Sequence, residues 1–220
     1  MDIGINFMMR LRLRAGLRAG LLLGALVLSG TLHAADTPAQ HLSGLLSRVN
    51  SLSATFEQLV LDGTGRRLQQ VHGEMVLARP GKFRWRTEEP FPQLLVSNGA
   101  TLWLYDQDLE QVTRRPVDHR LSSTPALLLS GNLNDLEKTF AVQGPVEGDT
   151  GVFRLLPKNE EALFVVLRIQ FTAGIPTEMQ LEDNLGQKTG INFSDILLNP
   201  EVDDSQFEFQ VPAGVDLLSE

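Results

Sequence analysis

A single stretch constrains this chain more than any other. Leu94-Leu95-Val96-Ser97-Asn98-Gly99-Ala100-Thr101-Leu102-Trp103-Leu104-Tyr105 reads as strand, tight turn, return strand. Asn-Gly between apolar runs is the strongest short hairpin signal a sequence carries. Just upstream, Lys82-Phe83-Arg84-Trp85-Arg86 alternates strictly. Successive strand side chains point to opposite faces, so Phe83 and Trp85 share one face and the three cations the other. Such a chain makes an antiparallel sheet with one greasy face.

The remaining elements follow from periodicity and turn chemistry. Leu42, Leu45, Leu46 and Val49 form a helical stripe, predicting a helix over 38–50 with Thr37 as N-cap and Pro38 at its first position. Strands are expected at 56–61, 68–78, 82–87, 93–97, 101–105, 110–113, 140–143, 152–156, 163–171, 177–181 and 188–193. The tail Phe207-Glu208-Phe209 alternates and reads as an added edge strand. Pro125 to Ser130, capped by Thr124 and stopped by Gly131, reads as a short apolar helix, with another over 134–139. Leu127-Leu128-Leu129 cannot hide on one narrow face, so some of it meets the sheet and some meets other helices or a ligand. Hairpins in sequence order imply an antiparallel meander, and a sheet this wide must curl. The expected fold class is α+β: a strongly curved, half-open antiparallel β-barrel with the few helices lying across its concave side.

The N-terminus reads as an export signal. Arg10, Arg12, Arg14 and Arg18 precede an apolar run over 19–28, followed by small residues ending at His33-Ala34-Ala35. Cleavage is expected after Ala34 or Ala35, leaving 35–220 as one domain. Removing residues 1–34 takes away four Arg and one Asp, so the net charge moves from −8 to −11 over the remaining 186 residues. That balance argues against non-specific nucleic-acid binding and for a monomer kept soluble by self-repulsion. With no cysteine, disulfides, thiolate nucleophiles and zinc–thiolate sites are ruled out, as is acyl anchoring at a lipobox. The expected location is the periplasm.

Catalytic patterns are lacking. His41, His72 and His119 stand apart at no metal-ligand spacing and read as scattered surface imidazoles. Asp106-Gln107-Asp108 reads as a solvated hairpin tip. Glu88-Glu89 and Glu160-Glu161 are adjacent pairs whose side chains point apart on a strand. No catalytic residue, metal or cofactor is expected, and the chain is not read as an enzyme. Arg79 admits two readings. One is a solvated arginine at a strand end. The other is a latch, since a guanidinium offers five donors in a fixed fork to the unpaired carbonyls at a helix C-terminus.

Together these residues resemble the periplasmic outer-membrane lipoprotein carrier proteins, the LolA family. The resemblance runs through Val49-Asn50-Ser51-Leu52-Ser53-Ala54-Thr55-Phe56-Glu57-Gln58, Arg79-Pro80 with Phe83 and Trp85, Leu95-Val96-Ser97-Asn98-Gly99 with Thr101-Leu102-Trp103, Glu110-Gln111, Thr124-Pro125 and Leu155-Leu156-Pro157-Lys158. It implies a helical lid over a hydrophobic cavity. The family's latch arginine falls on Arg79, with lid contacts on the backbone of Leu46, Leu129 and Ser130. The acyl-chain cavity is expected at Leu42, Leu46, Phe56, Phe83, Trp85, Leu127, Leu128 and Leu129. The implied partners are acylated lipoproteins, an inner-membrane ABC transporter that releases them, and an outer-membrane lipoprotein receptor. Ala126 and Gly131 depart from the family, being small where better-known members carry bulkier residues. A lipid- or lipoprotein-sensing module of the same fold and an unrecognised periplasmic hydrolase are the alternative readings.

Overall fold

The computed structural model describes residues 36–88, 90–117, 125–131 and 136–219. Twelve strands form one sheet. They are β1 (Ser51–Leu61), β2 (Arg67–Ala78), β3 (Lys82–Thr87), β4 (Gln93–Asn98), β5 (Thr101–Asp106), β6 (Gln111–Pro116), β7 (Phe140–Gln143), β8 (Gly151–Pro157), β9 (Phe164–Thr172), β10 (Ile175–Asp183), β11 (Lys188–Leu198) and β12 (Asp216–Ser219). Among the described residues three α-helices are interspersed: α1 (Pro38–Ser47), α2 (Pro125–Ser130) and α3 (Leu136–Thr139). The spatial order is β12-β6-β5-β4-β3-β2-β1-β11-β10-β9-β8-β7, so β12 and β7 are the two edges and the sheet is open. Local hairpins make most of the neighbours. The joins between β1 and β11, with Phe56 opposite Phe193, and between β6 and β12 are the long-range ones.

Several expectations need correction. The first strand starts at Ser51 rather than 56, because Ser51–Ala54 pair with Met75–Ala78. The helix stops at Ser47, and the chain has turned into the sheet by Ser51. The sheet is not wholly antiparallel: β12 runs parallel to β6. Phe207-Glu208-Phe209 is no edge strand. Phe207 closes a short 3₁₀ turn (Asp204–Phe207), and the edge strand comes nine residues later. The physical reason is topological. β11 ends at one end of the sheet while β6 begins at the other, and residues 199–215 cross between them. A crossover of that length is what a parallel pair requires. Thr124 and Asn134, read as helix boundaries, and His119 lie outside the described residues.

The crossing segment creates a second core. Phe207 is buried, and Phe209 lies 5.9 Å from the Tyr105 ring and 6.3 Å from Trp103. Leu94, Val96 and Val112 are buried on this side of the sheet too. Their register places them on the face that carries Arg84 and Arg86, opposite Phe83 and Trp85. Both faces of β4–β6 are therefore covered, which is why Leu94-Leu95-Val96 is a continuous apolar run rather than an alternating one.

Candidate functional site

The site is built from two helix ends and one hairpin tip. A capping box starts α1: Thr37 Oγ1 accepts the Gln40 N–H at 3.1 Å, and Gln40 Oε1 accepts the Thr37 N–H at 2.9 Å. Its buried stripe is Leu42, Leu45 and Leu46. At its C-terminus the Arg48 N–H reaches back to Leu45, and the Val49 N–H to Leu46 at 3.1 Å. These bonds occupy the carbonyls of Leu45 and Leu46, and Asn199 Nδ2 donates to that of Arg48 at 3.0 Å.

Arg79 sits in the tip between β2 and β3. Its N–H donates to Asn50 O at 2.8 Å, and its Nε donates to Val49 O at 2.9 Å. Nη1 donates to the carbonyl of Gly131, the residue that follows α2. One planar cation thus ties together the C-terminal ends of α1 and α2, where helix carbonyls carry partial negative charge. Gly81 in the same tip donates its N–H to Ser130 O at 2.7 Å, from a backbone with φ of 70° that suits glycine. Burial pushes the Arg79 pKa down to about 10, so the side chain stays cationic at neutral pH. Its Nη2 is buried with no hydrogen-bond partner. The clamp holds with two of its three nitrogens.

The expected acceptors Leu46, Leu129 and Ser130 are thereby displaced along the chain. The carbonyl of Leu46 serves the Val49 N–H, and that of Ser130 serves Gly81. The guanidinium bonds fall on Val49 and Gly131 instead. Backbone carbonyls carry no residue-type signal, so the sequence indicates only the neighbourhood. The glycine stop at Gly131 was the one usable marker.

Beneath the clamp, Leu42, Leu46, Phe56, Phe83, Trp85, Leu128 and Leu129 are all buried and belong to one cluster. The side chain of Leu127 lies outside the described residues. The Phe56 and Trp85 rings lie 4.1 Å apart, and Trp85 meets Phe193 edge-on at 6.3 Å. Gly73, directly across from Phe56, goes unmarked by the sequence reading. A Cβ there would meet Phe56 Cζ at 2.8 Å and the carbonyl of Arg86 closer still. The ring lies on that bare backbone. Ser97 is also unmarked. It is fully buried opposite Phe83, donates to Gly81 O at 2.8 Å and accepts the Gly99 N–H at 3.2 Å. It thereby fixes the tip that carries Arg79.

His41 corrects the reading of surface imidazoles. It packs against Phe153 with ring centroids 5.7 Å apart, and its Nε2 is buried without a hydrogen-bond partner. Its place on α1, facing β8, explains that burial. Among the described residues no group of three or more His, Asp or Glu is arranged to hold a metal.

The sequence model of "Outer membrane lipoprotein carrier protein LolA" matches residues 47–210. The chain belongs to the LolA family. An outer-membrane lipoprotein carrier protein of Pseudomonas aeruginosa (strain UCBPP-PA14) is 47% identical over 200 residues, 90% of this chain and 96% of its own. That of Azotobacter vinelandii is 50% identical over 181 residues, covering 82% and 87%. That of Chromohalobacter salexigens is 45% identical over 195 residues, covering 89% and 93%. For this LolA-family chain the matched region takes in β1 through the 3₁₀ turn, and so includes Arg79, Gly131 and the second core behind the sheet.

Proposed function

We propose that this LolA-family chain is a periplasmic lipoprotein chaperone whose α1 and α2 form a lid, latched by Arg79, over an acyl-chain site on the concave face. Residues 1–34 serve as its export signal and 35–220 as the single carrier domain. The observation that carries the reading is the clamp. One half-buried cation bonds the ends of both helices beside a cluster of leucines and aromatics.

The mechanism follows from magnitudes. Each buried methylene of an acyl chain gains about 0.8 kcal/mol, so a lipoprotein's chains together gain on the order of tens. A carrier that realised all of it could not release its cargo. Opening the lid exposes Leu42, Leu46, Leu128 and Leu129, now buried. At about 2 kcal/mol each that is about 8 kcal/mol, the equivalent of about ten methylenes. Breaking the two Arg79 bonds adds to the cost. The closed, empty state therefore competes with cargo and helps to drive it out. An inner-membrane ABC transporter supplies the work of loading, and an outer-membrane lipoprotein receptor takes the cargo downhill.

The test is direct. The chain is purified from periplasm, and co-purifying polypeptides are analysed for acylation. An apolar fluorophore is then titrated in and displaced by lipoprotein. Acylated partners and displacement are expected. A folded sample that binds neither fluorophore nor acylated polypeptide would overturn the reading.

A further inference from the structure

The antiparallel register puts five hairpin tips at the end of the sheet away from Arg79: β1–β2, β3–β4, β5–β6, β8–β9 and β10–β11. Among the described residues four of these tips carry a large exposed apolar side chain, and beside the fifth, β1–β2, stands Leu68 at the start of β2. Leu185 is 90% exposed, Leu109 69% and Leu163 61%; Leu68 and Phe91 are about half exposed, at 50% and 48%. At the opposite end the four tips are built mainly of small or polar residues, with Val146 as their single large exposed apolar side chain. The other exposed apolar residues at that end are Leu197 and Leu198 at the close of β11 and Val152 at the start of β8. Isolated surface leucines are ordinary. One on four of five tips at one end, against one of four at the other, is a pattern.

The tips are stiff and joined. Asp106 Oδ1 accepts the Leu109 N–H at 3.1 Å, and Asp183 Oδ1 accepts the Leu185 N–H at 2.8 Å. Each exposed leucine is thus held out by its own turn, which lowers the ordering cost of a contact. The Gln107 N–H donates to Pro92 O at 3.3 Å, and Asn184 Nδ2 donates to Ala162 O at 2.7 Å, so neighbouring tips are bonded to each other. Gly63 faces the Leu185 tip, where an added Cβ would make an ordinary contact 3.5 Å from Leu185 O.

Charge decides the occupant. The described residues of segments 62–68, 88–92, 106–110, 158–163 and 183–188 include eight Asp or Glu and four Lys or Arg. An acidic rim is repelled by the anionic surface of a phospholipid bilayer. It attracts a basic protein surface and steers its approach. We infer that this rim is a docking surface for a protein partner presenting net positive charge around hollows that accept the projecting leucines. The inference goes beyond the carrier reading and does not need it.

The test places a photo-reactive benzoylphenylalanine at Leu109 or Leu185, with Ala173 at the opposite end as control, in cells making the full chain. Irradiation is expected to join both rim positions to the same polypeptide, at least ten-fold above the control. The double variant Asp108→Lys/Glu160→Lys, both exposed, is expected to cut that yield at least five-fold while thermal unfolding is unchanged. Adducts to lipid alone would mean a membrane contact. Different polypeptides at the two positions, no adduct, or a yield indifferent to charge reversal would each overturn the inference. Fluorophore displacement reads the carrier function separately, so either conclusion can fail while the other stands.

Discussion

At the scale of single residues, Arg79 does what few side chains can. Its fork reaches two carbonyls 82 positions apart in the chain, those of Val49 and Gly131. Lysine offers one nitrogen and would keep the charge while losing one end of the clamp. Arg79→Lys is therefore expected to release cargo at an intermediate rate. Arg79→Leu should still load but retain cargo at least ten-fold longer in a donor-to-acceptor transfer assay. Its amide exchange should quicken in α1 and α2 while the midpoint of global unfolding moves little, because removing a half-buried, incompletely bonded cation relieves part of what its bonds supply. Normal transfer by Arg79→Leu would sink the latch. Ser97 supports the same tip. Ser97→Ala leaves the Gly81 carbonyl without its 2.8 Å donor and is expected to cost about 1–3 kcal/mol in urea unfolding, the usual penalty of a stranded buried acceptor.

At the scale of elements, pairs of strands meet through a few contacts that admit no substitute. Gly73 lets Phe56 lie on β2 and Trp85 stack beyond it. Gly73→Ala forces a methyl into that ring and into the Arg86 carbonyl. It is expected to destabilise by more than about 2 kcal/mol, where at an unconstrained strand site a Gly→Ala change would stabilise by about 0.5–1 kcal/mol. An unchanged denaturation midpoint would mean the ring is free to move aside. The segment behind the sheet is anchored by Phe207. Lys82 Nζ donates to Asp204 at 2.8 Å, but that pair is largely exposed on the Asp204 side and contributes little. Phe207→Ala is expected to cost about 3–5 kcal/mol by emptying the second core, whereas Asp204→Ala should fall within about 1 kcal/mol.

At the scale of the whole molecule, one sheet separates two cores, and the two tryptophans report on opposite sides of it. Trp85 lies with Phe56 and Phe193, and Trp103 lies near Phe209. Each single-tryptophan variant can therefore be followed by fluorescence and by far-ultraviolet circular dichroism. The two signals are expected to coincide within each variant, because β4–β6 contribute to both cores and one cannot be lost without the other. A fluorescence transition of Trp103 that precedes the dichroism transition would mean the C-terminal segment lifts off by itself.

Much of this was legible in the residues. Alternation in 82–86, the Asn98-Gly99 turn and the Thr37-Pro38 start of α1 are local signals, and local signals survive because turn dihedrals and period-two faces depend on neighbours only. Cavity candidates such as Leu42, Phe56 and Phe83 were legible as apolar positions on defined faces, and all proved buried in one cluster. What only the tertiary structure decided involves partners distant in sequence. The pairing of β1 with β11, the crossover that turns β12 parallel to β6, and the burial of Phe207 behind the sheet all depend on where the chain returns. The acceptors of Arg79 are likewise backbone oxygens, identical in every residue type. A sequence can announce a donor, a face and a turn, but which carbonyl meets the donor is fixed when the chain closes on itself.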